Sequence, residues 1–380
     1  MRSAFLLRHA ASALLWFVAL TVAEHPARAE PVVRIMTQNM DEGTDYQALV
    51  TASTPAAFVN AVTQTYNDIE GTDPAARAAV MATTIATQHP DLVALQEASI
   101  VRTGISPPAT TVTSNLLTSL LTSLASLGQH YAPVVVGTEL DAEAPSAMGV
   151  DVRLTTQDVI LVRTDLPASQ LSIANPQAQH FPTQLVVPTA VGPVALTRGW
   201  TSVDATVDGQ KFRFVTTHLD TGQFSPVLQQ AQAMELLGEA GATSLPVVYA
   251  GDFNSVANDP SDPTFPTYQA LIASGLHDAW TTANPGDPGF TCCESPDLMN
   301  PDPILTQRID LALVTSGIGV EDADLVGIVP PALTPDGLWS SDHAGLVVDL
   351  DLPVAEPATL SLFGLGLAGL MAIRRRSRRP

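Results

Sequence analysis

Carboxylates, amides and histidines recur along this chain in six short groups, and each borders a run of β-type apolar residues. In order they are Gln38-Asn39-Met40-Asp41 after residues 32–36, Gln96-Glu97 after 92–95, and Thr217-His218 after 212–215. Gly251-Asp252-Phe253-Asn254 follows 247–250, Arg308-Ile309-Asp310 precedes 311–314, and Ser341-Asp342-His343 precedes 346–350. Such side chains bind hard cations through oxygen, move protons and hold polar substrates. Delivering them repeatedly to strand ends is how an α/β enzyme builds a site at one edge of a sheet, because the scaffold is rigid while the edge stays open. The pattern points to an enzyme.

The elements that must position these groups alternate in type. Val32–Thr37 and Asp91–Leu95 read as strands, separated by an Ala-rich helix over 74–88 that Asp73-Pro74 opens. Residues 112–127 carry leucines at helical spacing. Strands are expected at Tyr131–Val136, Asp158–Val162, Gln184–Val187, Trp200–Val207 and Lys211–Thr217, with Val207-Asp208-Gly209-Gln210 as a hairpin turn. A helix over Pro226–Leu237 and strands at Pro246–Ala250, Ile309–Val314 and Leu346–Leu350 complete the series. Hairpins mixed with helical connections imply two packed mixed sheets with helices outside.

The two ends read differently. Residues 1–29 combine Arg2 and Arg8, an apolar stretch from Ala10 to Ala23 and Ala27-Arg28-Ala29, the pattern of a cleaved signal peptide. Residues 354–380 contain Glu356-Pro357, an apolar run to Ile373 and five terminal arginines. This tail resembles the PEP-CTERM sorting signal of Gram-negative bacteria, with Ala355 where that family usually has its first proline. The resemblance implies an exosortase-type processing enzyme as partner. The run of about 16 residues spans roughly 24 Å as a helix, enough for a transient inner-membrane anchor with its arginines cytoplasmic. The expected destination is the periplasm, outer envelope or exterior; a plain C-terminal anchor predicts the same side.

Between the ends, residues 30–353 are read as one domain. The chain has a net charge of −21, and residues 31–353 keep only nine of its 17 basic residues but 35 of its 38 acidic ones. No basic face is available for counterion-driven DNA binding, although a divalent cation can bridge a phosphate to carboxylates. Cys292 and Cys293, the only cysteines, are adjacent and suggest no zinc site; a vicinal disulfide in a loop is one reading.

In this order and beside these elements, the six groups resemble those of the endonuclease/exonuclease/phosphatase superfamily, the deoxyribonuclease I fold, over roughly residues 33–351. The resemblance implies an α/β four-layer sandwich of two packed mixed β-sheets flanked by helices, with a metal-dependent site at the mouth between the sheets. It implies Mg2+, with Mn2+ or Ca2+ as alternatives, and a phosphoester substrate. Glu97 matches the family's metal-binding glutamate, and Asn39, Asp41 and Asp342 join it in the metal set. Asp252 matches the residue that aligns or deprotonates water, and Asn254 the one that steadies the phosphate. His343 matches the catalytic histidine and Asp310 the aspartate on its far nitrogen, a pairing that fixes the tautomer and raises the imidazole pKa. His218 matches a catalytic histidine of the deoxyribonuclease, sphingomyelinase and phosphatase branches. Asp158 falls near a family Asn-Gly pair and does not match it, and no tyrosine lies between 132 and 248.

Any one group alone is more often structural than functional, and only the set together points to a catalytic site. His89, His130, His180 and His277 read as structural, and Trp200 and Trp280 as core. Tyr249 and Thr306-Gln307-Arg308 stand where inositol-phosphate phosphatases carry tryptophan-containing elements, which disfavours that branch. The resulting expectation is an exported metal-dependent phosphodiesterase acting on nucleic acid or a phospholipid headgroup. A nuclease stands first, with Arg153, Arg163 and Arg198 as its basic contacts, and a sphingomyelinase-like lipid phosphodiesterase second. For the lipid reading, the segment from Phe290 to Met299 is the candidate membrane-contact loop. The competing class is a non-catalytic envelope or matrix protein that retains the fold.

Overall fold

A computed structural model describes residues 32–328 and 332–353. The expected leader, 1–29, and the tail, 354–380, lie outside the described residues.

Two large sheets are built from strands far apart in sequence. The first contains β1 (Val32–Asn39), β2 (Leu92–Gln96), β3 (Ile100–Gly104), β4 (Thr111–Asn115), β5 (Tyr131–Pro145) and β6 (Asp151–Arg163). The second contains β7 (Leu171–His180), β10 (Gly199–Val207), β11 (Gln210–Thr217), β12 (Val247–Asp252), β13 (His277–Asp278) and β14 (Asp310–Val314). Between β7 and β10 the chain makes a separate two-stranded ribbon, β8 (Leu185–Thr189) and β9 (Gly192–Leu196). The last strands, β15 (Gly319–Val326) and β16 (Gly345–Asp351), return to the first sheet, whose order is β15-β16-β1-β2-β6-β3-β4 with β5 also on β6. The order of the second sheet is β13-β14-β12-β11-β10-β7.

Period-two alternation sorts the apolar residues into layers. Ile35, Leu92, Ala94 and Ile160 of the first sheet meet Val203, Phe212, Phe214, Val248 and Ala312 of the second in one buried cluster. Their neighbours Met36, Val93, Leu95 and Leu161 face the other way, onto α3 (Pro74–Gln88) and α4 (Leu116–Ser126). On the far side Val215, Tyr249, Leu311 and Leu313 pack on α5 (Pro226–Glu239) and α6 (Phe265–Ala273). Strands buried on both faces therefore read as unbroken apolar runs, and the result is the expected α/β/β/α sandwich. Each fully buried phenylalanine in the middle layer contributes about 1.5–3 kcal/mol.

Several expectations shift in detail. Residues 112–127 are not one helix: β-branched Thr111-Val112-Thr113 form β4, and Asn115 then caps α4 by accepting from the Thr118 N–H. Strands β5 and β6 run much longer than expected, their distal halves forming an arm paired as far as Pro145 and Asp151. Of residues 184–187, 185–187 belong to the small ribbon and not to a main sheet. Helices α1 (Gln47–Thr51), α2 (Pro55–Gly71) and α7 (Ala279–Ala283) complete the set, of which 17-residue α2 is the largest unexpected element.

Candidate active site

Strand direction explains the order of the six groups. Strands β1 and β2 are parallel, as are β11 and β12, so each pair ends at the same edge of its sheet. The residues just past or at those ends are Asn39, Glu97, His218 and Asp252. Strands β14 and β16 run antiparallel to their neighbours β12 and β1, so they begin at that edge. Asp310 therefore opens its strand and His343 precedes its own, where the other groups end or follow theirs.

Asp252 is the hub. Its Oδ2 accepts from Asn39 Nδ2 at 3.1 Å and lies 3.4 Å from His218 Nε2 and 3.9 Å from His343 Nε2. Its Oδ1 accepts the Asn254 N–H at 2.8 Å. Asn39 Nδ2 also reaches Glu97 Oε1 at 3.2 Å, so one amide from the first sheet ties together a carboxylate from each sheet. Gln96 crosses the interface in the same way, donating to Thr216 Oγ1 at 2.8 Å. Glu97 Oε2 accepts the Glu42 N–H at 2.9 Å, and Glu97 Oε1 lies 3.8 Å from His218 Nε2.

On the other side His343 Nδ1 meets Asp310 Oδ2 at 2.7 Å. Asp310 sits directly across the β12–β14 pair from Asp252, an adjacency of like charges that the histidine offsets. Asp342 Oδ1 lies 3.8 Å from His343 Nε2. Asp310, Asp252 and His218 are at most 2% exposed, whereas Glu97, Asn254 and Asp342 are partly open. The buried members can act only on something held by the open ones.

Three of these residues pay in backbone conformation. Asp41, Glu97 and Asn254 have φ of 56°, 57° and 49°, the left-handed region that glycine favours. Asp41 and Asn254 are supported locally: Asp41 Oδ1 accepts the Gly43 N–H, and Asn254 Nδ2 donates to the Leu219 carbonyl. Glu97 has a longer side chain with no such habit, and its conformation costs on the order of 1 kcal/mol to aim the carboxylate.

Electrostatics separate the two histidines. Burial alone would depress His343, but Asp310 and Asp342 outweigh it and hold its pKa well above the ordinary value. For His218, burial and the Arg198 guanidinium both push the pKa well below the ordinary value. Arg198 NH1 lies 2.8 Å from His218 Nδ1, so that nitrogen accepts and Nε2 carries the proton toward Asp252 and Glu97. Burial, reinforced by the Asp310 charge, raises Asp252 to about 7. One imidazolium, one neutral imidazole and one carboxyl poised near neutrality thus lie side by side.

The structure brings all nine expected site residues to one region, but not into one tight shell. Among the described residues, Asp252, Asp310 and His343 form a triplet whose ligand atoms lie within 4.8 Å of one another. Asp41, Glu97 and Asp342 form no such triplet. Asp41 and Asp342 are raised chiefly by burial, and each is raised further by the Glu97 charge. An all-oxygen set whose members repel one another suits a hard divalent cation that keeps several waters, so these residues fit magnesium or a similar ion.

Supporting roles are not visible in the sequence. Arg77, fully buried on α3, donates to the Met40, Asp41 and Ser340 carbonyls and pairs with Asp41 at 3.4 Å. Ser341 Oγ donates to the Asn39 carbonyl and accepts the His343 N–H. Thr291 Oγ1 accepts the Ile309 and Asp310 N–H groups while its carbonyl accepts from Ala344, locking the starts of β14 and β16 together. A basic residue in the first turn of an Ala-rich helix is the one available signal, for Arg77. Cys292 and Cys293 are joined in a vicinal disulfide beside His343. Trp200 and Trp280 are core residues, as expected.

Residues 37–343 match the Endonuclease/Exonuclease/phosphatase family, and the chain belongs to it. Residues 353–376 match the PEP-CTERM protein-sorting motif, which implies export, exosortase-type processing and envelope association. Among the described residues no helix is long and apolar enough to cross a membrane. Similar solved structures include a family protein from Bacteroides thetaiotaomicron, 16% identical with a TM-score of 0.55, covering 86% of this chain and 100% of that one. Another, from Leptotrichia buccalis, is 15% identical with a TM-score of 0.53, covering 84% and 100%. A mannosyl-6-phosphatase of Bacteroides thetaiotaomicron is 16% identical with a TM-score of 0.51, covering 84% and 99%. These likenesses establish the fold. No curated protein matches the chain significantly.

Proposed function

We propose that this protein is an exported, metal-dependent phosphoester hydrolase that acts on phosphodiesters by directing water at phosphorus. The observation that carries the reading is the cluster of Asp252, His343–Asp310 and neutral His218 beside the open Glu97. Glu97 and Asp342, with Asp41 and Asn39 behind them, would hold magnesium, manganese or calcium, which supplies charge stabilisation for the phosphoryl oxygens. Asp252, near neutrality in its pKa, takes a proton from the attacking water. His343, charged through Asp310, donates to a phosphoryl or leaving oxygen. His218 offers its Nε2–H as a fixed donor, and Asn254 steadies the substrate. Asn39 holds Glu97 and Asp252 at their separation.

Within this reading the leader ends near residue 29, residues 30–353 form the catalytic domain, and the tail is removed on sorting. A nuclease would need basic contacts that this surface spends elsewhere: Arg153 pairs with Asp141, Arg163 with Asp165 and Asp91, and Arg198 is committed to His218. A small phosphodiester asks for none of them. The test is hydrolysis of duplex DNA, RNA, sphingomyelin and bis(p-nitrophenyl) phosphate with magnesium or manganese, alongside His343→Ala. Metal-dependent turnover of at least one substrate, lost in the variant, supports the reading. Folded protein that is silent on all four points to a non-catalytic envelope protein.

A further inference from the structure

A second set of oxygen groups lies between the two sheets. Period-two alternation turns Asp158 of β6 to the same face as Ile160 and Val162, and Thr201 of β10 to the same face as Val203 and Ala205, so both look into the apolar middle layer. Asp158 stands directly opposite Gly137 of β5. A Cβ on Gly137 would lie 2.6 Å from Thr201 Cγ2 and 3.6 Å from Glu139 Oε1, so Thr201 and Glu139 converge where β5 has no side chain. Glu139 is the extra residue of a bulge between Thr138 and Leu140, a device that re-aims a side chain.

All three residues are at most 2% exposed, yet Asp158 Oδ1 and Oδ2, Glu139 Oε2 and Thr201 Oγ1 have no hydrogen-bond partner. Thr201 is no acid, and its buried hydroxyl is unpaired at the same spot as the two carboxylates. Nearby donors are committed elsewhere: Arg198 gives NH1 to His218, and Gln96 gives its amide to Thr216, the residue paired with Thr201. The Arg198 charge acts on both acids, but among the described residues it forms an ion pair with neither. Buried charge left unpaired is among the costliest arrangements in a fold, and proteins relieve it by pairing or by coordinating a metal. We propose that Asp158, Glu139 and Thr201 form a site for a second hard divalent cation, which ties β5 and β6 of the first sheet to β10 of the second. Two carboxylates and a hydroxyl are the oxygen ligands such an ion takes, with water completing its shell. Glu139 also stands in the wall of a cavity of about 300 Å³ beside α2, which gives the ion and its waters a way in. The site shares no residue with the proposed catalytic set, so it does not depend on the hydrolase reading.

The test counts manganese ions bound by the exported protein, from the loss of the paramagnetic resonance signal of free Mn2+, with circular dichroism verifying that each variant is folded. The wild type binds two ions. Asp158→Asn, Glu139→Gln and Glu97→Gln each bind one, and Asp158→Asn combined with Glu97→Gln binds none. Thr201→Val removes the hydroxyl without changing charge, keeps both ions and weakens one of them at least about 10-fold, since even residues behind a ligand are worth about 10- to 100-fold in metal affinity. That variant decides the matter should the carboxylate variants fail to fold. No bound ion, a count that Asp158→Asn leaves unchanged, or an affinity that Thr201→Val leaves unchanged overturns the proposal, and protons or water then satisfy these groups. A single ion lost in Asp158→Asn but kept in Glu97→Gln upholds this site and refutes the catalytic metal, whereas the opposite dependence refutes this site alone.

Discussion

Asp310→Asn removes one charge from the centre of the site and changes little else in shape. Asp310 bonds His343 Nδ1 at 2.7 Å and is 1% exposed, so the contact is a buried, charge-assisted hydrogen bond. Such a bond contributes about 1.5–3 kcal/mol. That corresponds to about one to two pKa units on His343 and, if the imidazolium is stabilised in the transition state, to about a 10- to 150-fold loss of kcat. Asp252 changes with it. Burial sets most of its rise to about 7, and Asp310 adds the next largest part. Without that charge Asp252 loses its proton at lower pH, so the acid limb of the rate profile moves down. In the proposed mechanism His343 acts while protonated, and its own pKa falls, so the alkaline limb moves down as well. The assay is the pH–rate profile of bis(p-nitrophenyl) phosphate hydrolysis at saturating magnesium for both proteins. Both limbs shift to lower pH with a reduced maximum; an unshifted profile, or limbs moving in opposite directions, would refute the assignment of Asp310 to both groups.

Three further outcomes follow from neighbouring contacts. Arg77→Met leaves Asp41 buried without its partner and three carbonyls without a donor, and urea titration registers a loss of about 3–5 kcal/mol. Gly251→Ala places a Cβ 2.2 Å from the Thr217 carbonyl oxygen, which must push β12 from β11 beside His218. Calorimetry then reads a destabilisation of at least about 1–3 kcal/mol, and activity falls with it. Asp204 is partly buried, which raises its pKa, but bonds from Arg213 and Asn175 prevail and hold it below the ordinary value. Its stabilisation is therefore present above the unfolded value of about 3.9 and is lost as pH falls through the folded pKa. Asp204→Asn costs about 0.5–1 kcal/mol at pH 7 and almost nothing at pH 2 in chemical denaturation.

Much of the site was legible because its residues sit at the ends of strands buried on both faces, and such strands announce themselves as unbroken apolar runs. Residues 92–95 and 247–250 are of this kind, and 32–36 is broken only by Arg34. The arm of β5 and β6 was not legible: its faces are half-exposed, so no apolar run marks it. Helix α2 carried a usable signal, since Phe58, Val62, Thr65 and Ile69 recur at helical spacing behind Thr54 and Pro55. Its β-branched and aromatic residues obscured that period. The roles of Arg77, Thr291 and Ser341 depend on partners up to hundreds of residues away, and no local pattern encodes them. Arg198 reads from its charge as a substrate contact, because sequence does not reveal that it ends on the buried nitrogen of His218.

In the proposed reading, oxygen ligands around Glu97 and the Asp252–His343 cluster together hydrolyse a phosphodiester with the help of a divalent cation. The most direct measurement is the rate of bis(p-nitrophenyl) phosphate hydrolysis by the exported protein before EDTA, after EDTA, and after magnesium is restored, with Glu97→Gln in parallel. Activity is expected to disappear with the chelator, return with the metal, and fall at least about 100-fold in the variant. Hydrolysis that persists in EDTA, or that Glu97→Gln leaves intact, would contradict it.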